Sequence, residues 1–221
     1  MDDETGKSAT RAHLIGIAID CFGRAGPDGI STRELARRAD KPMSAITYHF
    51  GGKDGLYLAA ARHIAAQLGT WLGAALDEAG AVCGDDGDAA AARAALRTFL
   101  NGAIGIMTRP ETEAFARFII REQSDPTEAF NVLYEGFMKR VLDRVTALLA
   151  RVSGGALDPL DARVRAVMLF GQILVFRIAR AAVLRATGWN DIGPAEQQVI
   201  GRIALDQLDA ILDRIVQGET A

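Results

Sequence analysis

ISTRELARRADKPMSAITYHFGGKDGLYLA, residues 30–59, is the stretch whose reading decides the fold. Ser31-Thr32-Arg33-Glu34 has the S-x-x-E form of a capping box, which predicts a helix starting there and ending near Ala39. Proline is favoured in a first helical turn and paired glycines end a helix, so Pro42 to Phe50, closed by Gly51-Gly52, predicts a second short helix. Lys53-Asp54 then opens a long helix that runs to about Ala79.

Two short helices joined by a tight turn at Ala39-Asp40-Lys41 are the sequence form of a helix-turn-helix. The second helix of such a pair fits a major groove about 12 Å wide. With Ile46 as the inward reference, roughly 100° per residue puts Phe50 about 40° away on the same side and Ser44 and Tyr48 near 160° on the opposite side. Ala45 and Thr47 flank that outer face, which is small and polar with one aromatic and suits close approach to base edges.

Outward from this core the period stays helical, and no segment alternates as a strand does. A first helix is expected from about Ser8 to Ala25, with Leu14, Ala18 and Phe22 on one face and Gly26 ending it. The glycine- and aspartate-rich stretch Gly80 to Asp88 reads as a flexible loop. Further helices are expected at about Ala89 to Met107, Glu111 to Glu122, Pro126 to Val152, Leu160 to Ala186 and Ala195 to Val216. Asp125-Pro126, Asp158-Pro159 and Gly193-Pro194 each place proline, then an acid, in a first turn. The expected fold is all-α, with nine helices.

A chain of 221 residues, 49% hydrophobic, buries a sizeable core. Its net charge of -3 alone argues against a nucleic-acid partner, but the distribution of that charge argues for one. Lys7 to Ala65 carries nine basic and five acidic residues, +4, so the remainder sums to -7 and a DNA-binding surface belongs near the N-terminus. Cys21 and Cys83 form no CxxC pair, the start MDDETGKSAT lacks the basic and apolar runs of a secretory signal, and Gln172, Arg177 and Arg180 interrupt the apolar segment Val167 to Leu184. These features predict a cytoplasmic protein without a membrane span, with Val167 to Leu184 as a buried helix.

At residues 30–59 the sequence resembles the TetR family of bacterial regulators, whose helix-turn-helix closes with an aromatic-rich segment such as YHF followed by a glycine or charged residue and then lysine. The resemblance implies that Thr47, Tyr48 and His49 touch bases or backbone, that Thr32 and Arg33 meet phosphate, and that Lys53 binds phosphate at the start of the fourth helix. With Ser44 and Ala45 on the outer face, these form the candidate DNA-binding set, with double-stranded operator DNA as partner. Asp40 and Pro42 depart from the glycine and serine that many members carry there. RFIIREQSDPTEAF, residues 117–130, and FRIARAAVLRATGW, residues 176–189, are similar to the C-terminal domain of the CecR-like branch, which implies a sensor of small toxic or antibiotic-like compounds.

The expected organisation is a DNA-binding domain at residues 1–52 and a helical effector-binding and dimerisation domain at residues 53–221. Phe118, Arg121 and Tyr134 are candidate effector contacts, with plain core packing, or an Arg121–Glu122 ion pair, as the structural alternative. The excess of apolar residues between Arg163 and Ala186 and again in the final helix predicts a homodimer through the two C-terminal helices. An enzyme using Arg121, Glu122 or Tyr134 finds no support in a nucleophile set, phosphate loop, metal motif or cofactor motif, and a module binding only proteins leaves the basic N-terminal region unexplained. The expectation is a non-enzymatic repressor, without cofactor or metal, released from a palindromic operator by a small-molecule effector.

Overall fold

Helical periodicity is realised throughout the computed structural model, which describes residues 2–83 and 88–217. Among these the elements are α1 (Asp2–Ala25), α2 (Thr32–Arg38), α3 (Met43–Phe50), α4 (Lys53–Cys83), α5 (Ala89–Met107), α6 (Thr112–Ser124), α7 (Glu128–Leu133), a π-helical turn (Tyr134–Met138), α8 (Lys139–Val152), α9 (Pro159–Ile178), α10 (Arg180–Thr187) and α11 (Pro194–Val216). They form two compact units, one of residues 1–68 and 111–137 and the other of residues 69–110 and 138–221.

In the first unit the apolar face of α1, carrying Leu14, Ala18 and Phe22, is buried with Leu35 of α2, Ile46 of α3, Leu56 and Ile64 of α4 and Phe118 of α6. Tyr57 links the aromatic part of this core, stacking on Phe118 with ring centroids 4.7 Å apart and meeting Phe22 edge-on at 4.9 Å. Each large side chain buried this way contributes roughly 1.5–3 kcal/mol. Helix α1 also approaches α6 closely at Gly23, where a Cβ would lie 3.1 Å from the Arg117 Cβ.

In the second unit α5, α8, α9 and α11 share a core that includes Leu96, Phe99, Val145, Leu149, Leu169, Ile173 and Leu208. Only a gap of about 10 Å³ remains among Leu96, Phe99, Val145, Leu169 and their neighbours, room for no more than a single water. Arg93 and Arg97 of α5 reach Asp209 of α11, and Arg93 also reaches Asp213, so an ionic seam lies beside the apolar one.

Several expectations are corrected. Helix α1 begins at Asp2 rather than Ser8, and α4 continues to Cys83, so Gly80 to Cys83 are helical rather than loop. The rest of the expected loop, residues 84–87, lies outside the described residues, and Asp88 caps α5 by accepting from the Ala91 N–H at 2.9 Å. Asp125-Pro126 does not open a helix; Thr127 is the cap, its hydroxyl accepting from Ala129 N–H at 3.1 Å. The expected single helix Pro126 to Val152 is α7, the π-helical turn and α8. At that turn Gly136 crosses α4 so closely that a Cβ would stand 2.7 Å from the Ala65 Cβ. The other two proline starts form as expected: Asp158 accepts from Leu160 N–H at 2.8 Å, and Glu196 accepts from Gly193 N–H at 2.9 Å.

The expected helix Leu160 to Ala186 is also two helices, α9 and α10, set at 81°. Ala179 leaves helical geometry at φ -105, ψ 30, while Arg177 donates to the carbonyls of Met107 at 2.8 Å and Arg109 at 2.6 Å. Among the described residues no single helix is long and apolar enough to cross a membrane. Nor is α9 buried all round: Val164, Val167, Met168, Val175 and Ile178 are exposed on the face opposite Ala162, Ala166, Leu169 and Ile173.

Candidate nucleic-acid interface

Helices α2 and α3 anchor themselves in the core through Leu35 and Ile46, which leaves most of their remaining surface free for other contacts. Ser31 caps α2 by accepting from Glu34 N–H at 3.1 Å. The reciprocal half of the expected capping box is replaced by ion pairs, because the Glu34 carboxylate takes Arg37 Nε and Nη2 at 2.7 Å each and Arg38 Nε at 2.9 Å. Hydrogen bonds from Arg37 and then Arg38 hold the Glu34 pKa down at about 2.

The turn between the helices is set by Asp40, whose φ of +50 is the one positive value outside glycine among the described residues. Aspartate tolerates this left-handed conformation better than most residues. It therefore does the backbone work of the glycine that the family resemblance leads one to expect there. Lys41 N–H closes the turn on Ala36 C=O at 3.0 Å. Pro42 is the residue before α3 rather than its first turn, with an extended backbone at φ -66, ψ 149, and α3 starts at Met43.

Helix α1 braces both ends of this motif. His13 Nε2 lies 3.0 Å from Ala39 O in the turn, and the Arg11 guanidinium sits over the Phe50 ring at 5.4 Å from its centroid. Cations over aromatic faces contribute about 0.5–1 kcal/mol at exposed sites. Neither His13 nor Arg11 belongs to the set expected from the sequence: His13 lies on the side of α1 away from Leu14, Ala18 and Phe22, while Arg11 lies one turn before Leu14 on their side.

On α3, Ile46 is 0% exposed and Tyr48 71%, so the two faces separate as the helical geometry predicts. Ser44 and Thr47 are exposed, Ala45 and His49 half-buried, and the Tyr48 and His49 rings meet edge-on at 5.0 Å. Thr32 and Arg33 occupy the first two positions of α2, and Lys53 the first of α4. Helix N-termini bearing cations suit phosphate, while the outward side chains of α3 suit base edges.

The effector candidates face different surroundings. Phe118 is fully buried against Tyr57, whereas Tyr134 is at the surface, stacked on Phe130 with centroids 6.0 Å apart. Arg121 lines a surface cleft and does not follow the expected pairing with Glu122. Glu122, 1% exposed, instead accepts from the Tyr57 hydroxyl and from Thr127 N–H and Oγ1, the last two at 3.1 and 2.9 Å.

An all-helical chain with a helix-turn-helix near its start and a second helical unit defines a class, the helix-turn-helix transcriptional regulators. The profile described as "Bacterial regulatory proteins, tetR family" matches residues 14–60, and that described as "HTH-type transcriptional dual regulator CecR, C-terminal domain" matches residues 92–215. The HTH-type transcriptional dual regulator CecR of Shigella flexneri is 30% identical over 208 residues, covering 94% of this chain and 93% of that protein. The chain belongs to the TetR family of DNA-binding transcriptional regulators, in its CecR branch.

The HTH-type transcriptional regulator BetI of Brucella suis biovar 1 is 37% identical over 71 residues, 32% of this chain and 36% of its own length. Among solved structures, a TetR-family regulator from Mesorhizobium loti shares the fold with a TM-score of 0.64 at 18% identity, covering 94% of this chain and 96% of that one. AibR in complex with isovaleryl coenzyme A and operator DNA shares it with a TM-score of 0.66 at 15% identity, covering 90% and 97%.

Proposed function

We propose that this regulator is a homodimeric repressor that occupies a palindromic, double-stranded operator and is released by a small-molecule effector. The observation that carries the DNA-reading part is the outer face of α3, where an exposed Tyr48 stands beside Ser44 and Thr47 with Ile46 buried behind them. Turned away from the core, the hydroxyls and the aromatic ring of this face are available to base edges in the major groove. Thr47, Tyr48, His49, Ser44 and Ala45 meet the groove, and Thr32, Arg33 and Lys53 meet phosphate. Residues 1–52 read DNA, and residues 53–221 take the effector and dimerise. The protein works in the cytoplasm, where its operator is.

Dimerisation runs through α9 and α11, whose exposed apolar residues recur at helical spacing: Val164, Val167, Met168 and Val175 on one, Val199 and Ile203 on the other. A solved relative in fold, AibR, is described with both an acyl-coenzyme A and operator DNA, which supports an effector-responsive reading here. Effector binding that favours the released state by about 1–3 kcal/mol weakens operator binding roughly 5- to 150-fold. The name of the CecR relative, a dual regulator, favours a second mode in which the same protein activates some promoters.

The test is a gel shift of the purified protein on DNA flanking its own gene, repeated with candidate compounds. Specific retention that a compound reverses is expected. Retention no better than on random DNA of equal length overturns the operator reading, and a complex that persists with every compound known to bind the protein overturns release.

A further inference from the structure

The first residue of α3 stands on a side of the helix that its angle alone does not predict. Met43 lies only about 60° around the helix from Ile46, which is fully buried, yet Met43 is 52% exposed. Ser44, Thr47 and Tyr48 are exposed with it, while Ala45, His49 and Phe50 are half-buried. The open face of α3 is therefore shifted to one side, away from Ala45 and toward Thr47. It is made of two pairs at i, i+4 spacing, Met43 with Thr47 and Ser44 with Tyr48, whose members are neighbours on a helix surface.

A single exposed methionine is ordinary on a protein surface. This one does not stand alone. Among the described residues up to Leu68, the large hydrophobic side chains that are exposed are Met43 and Tyr48, and both belong to this one face. Met43 also opens the helix, directly after the extended Pro42. In a helix-turn-helix, the N-terminal residues of the second helix are the ones that contact base edges.

The chemistry of the side chain then limits what it can read. A thioether has no hydrogen to donate and is a weak acceptor, so it discriminates poorly among amino and carbonyl edges. In the major groove adenine, guanine and cytosine are told apart by donors and acceptors, and thymine alone adds an apolar group, its C5 methyl. Thr47, one turn on, carries a methyl beside its hydroxyl, so the Met43–Thr47 pair has an apolar part where Ser44 and Tyr48 offer two hydroxyls. We infer that Met43 is a specificity-determining residue, selecting a T·A pair in each operator half-site by covering the thymine methyl with its side chain. Three rotatable bonds let that side chain adapt to the methyl as the helix seats in the groove. The inference rests on the reading of α3 as the groove helix and adds a base identity to it.

The probe is a DNA duplex selected from a random-sequence pool by the full-length wild-type protein, with each thymine of one half-site replaced in turn by deoxyuridine. That exchange removes the methyl group and leaves every hydrogen-bonding edge as it was. Wild-type binding, read by fluorescence anisotropy, is expected to fall about fourfold at one thymine, the effect of uncovering one buried methyl group. Met43→Ala is expected to lose most of the response to deoxyuridine at that position, and Met43→Leu to keep it. Because Met43 is outside the core, both variants should melt as the wild type does. Wild-type indifference to deoxyuridine at every position, or a response of Met43→Ala equal to that of the wild type, overturns the assignment and leaves α3 in the groove. A pool from which no sequence is enriched overturns the operator reading itself, and the inference with it.

Discussion

The Tyr57 hydroxyl donates to the Glu122 carboxylate, tying the first turns of α4 to α6 through a hydrogen bond buried inside the first unit. Glu122 also takes two bonds from Thr127, so a carboxylate in the interior is met on both oxygens. Removing one donor leaves an imperfectly paired group in a place water does not reach. Tyr57→Phe is expected to cost about 1–3 kcal/mol of stability, although it preserves the stacking on Phe118. A double-mutant cycle with Glu122→Gln, read by urea denaturation, separates the pair from its surroundings; strictly additive effects would show that the bond carries no energy of its own.

The same contact predicts a pH dependence. Burial first, then the hydrogen bond to Glu122 and its charge, raise the Tyr57 pKa above its ordinary value of 10.0. For a group with a raised folded pKa, the contribution to stability is complete below the unfolded pKa and is lost as pH rises through the folded one. Wild-type stability should therefore fall more steeply than that of Tyr57→Phe as pH climbs above about 10. Parallel denaturation curves for the two proteins at pH 8 and pH 11 would contradict this.

Asp40 gives a prediction in which backbone and charge pull apart. Its φ of +50 disfavours alanine, because a Cβ without a polar group gains nothing locally in the left-handed region. Asp40→Ala is expected to lower stability by about 1 kcal/mol, whereas Asp40→Asn and Asp40→Gly should hold or raise it. Both of the latter also remove a negative charge from the turn of the DNA-reading motif. Operator affinity should rise for each, most at low salt, as fluorescence anisotropy across a salt series would report. An unchanged affinity for Asp40→Asn would place the carboxylate away from phosphate.

What the sequence makes legible depends on which forces act locally. The α2–α3 motif is legible because its determinants lie within a few residues of one another: Ser31 at a cap, Ile46 against Tyr48 across one helix, and Gly51 at a stop with φ +76. Asp158-Pro159 and Gly193-Pro194 are legible for the same reason. The breaks are not. Ala179 interrupts a helical run with no proline or glycine beside the break, next to an arginine that reaches carbonyls some 70 residues back in the chain. Asp125-Pro126 has the form of a helix start, but Thr127, which the sequence marks equally well, supplies the cap. In the site, the outer face of α3 follows from period alone, while the Tyr57–Glu122 bond spans 65 residues and has no local signature.

Two substitutions in the DNA-reading motif distinguish base reading from backbone attraction. Tyr48 stands on the outer face of α3, so Tyr48→Ala is expected to weaken operator binding by about 1–3 kcal/mol with little effect on random DNA. Lys53 opens α4 and is proposed to meet phosphate, so Lys53→Ala should weaken both DNAs alike and reduce the salt slope by about one. Neither residue belongs to the buried core, so both variants should melt as the wild type does. Operator affinity unchanged in both would remove α3 from the interface.

The apolar faces of α9 and α11 lead to the last prediction. Each helix already buries a stripe within its own subunit, Ala162, Ala166, Leu169 and Ile173 on α9 and Ile200, Ala204, Leu208 and Leu212 on α11. A second stripe on each is left in water, including Met168 at 67% exposed and Ile203 at 43%. One core-facing stripe is what a surface helix ordinarily needs, and two from each subunit make a four-helix interface under a two-fold axis. Met168→Glu and Ile203→Glu place a charge on that face without disturbing the subunit, since both side chains point outward and glutamate is a good helix former. Each is expected to shift the protein from dimer to monomer in sedimentation equilibrium at micromolar concentration. Far-ultraviolet circular dichroism should be unchanged. A palindrome is read by two recognition helices held about 34–36 Å apart, so the monomer should also lose most of its operator affinity while keeping its weak attraction to random DNA. A dimer that survives both substitutions together would assign these stripes to some other contact.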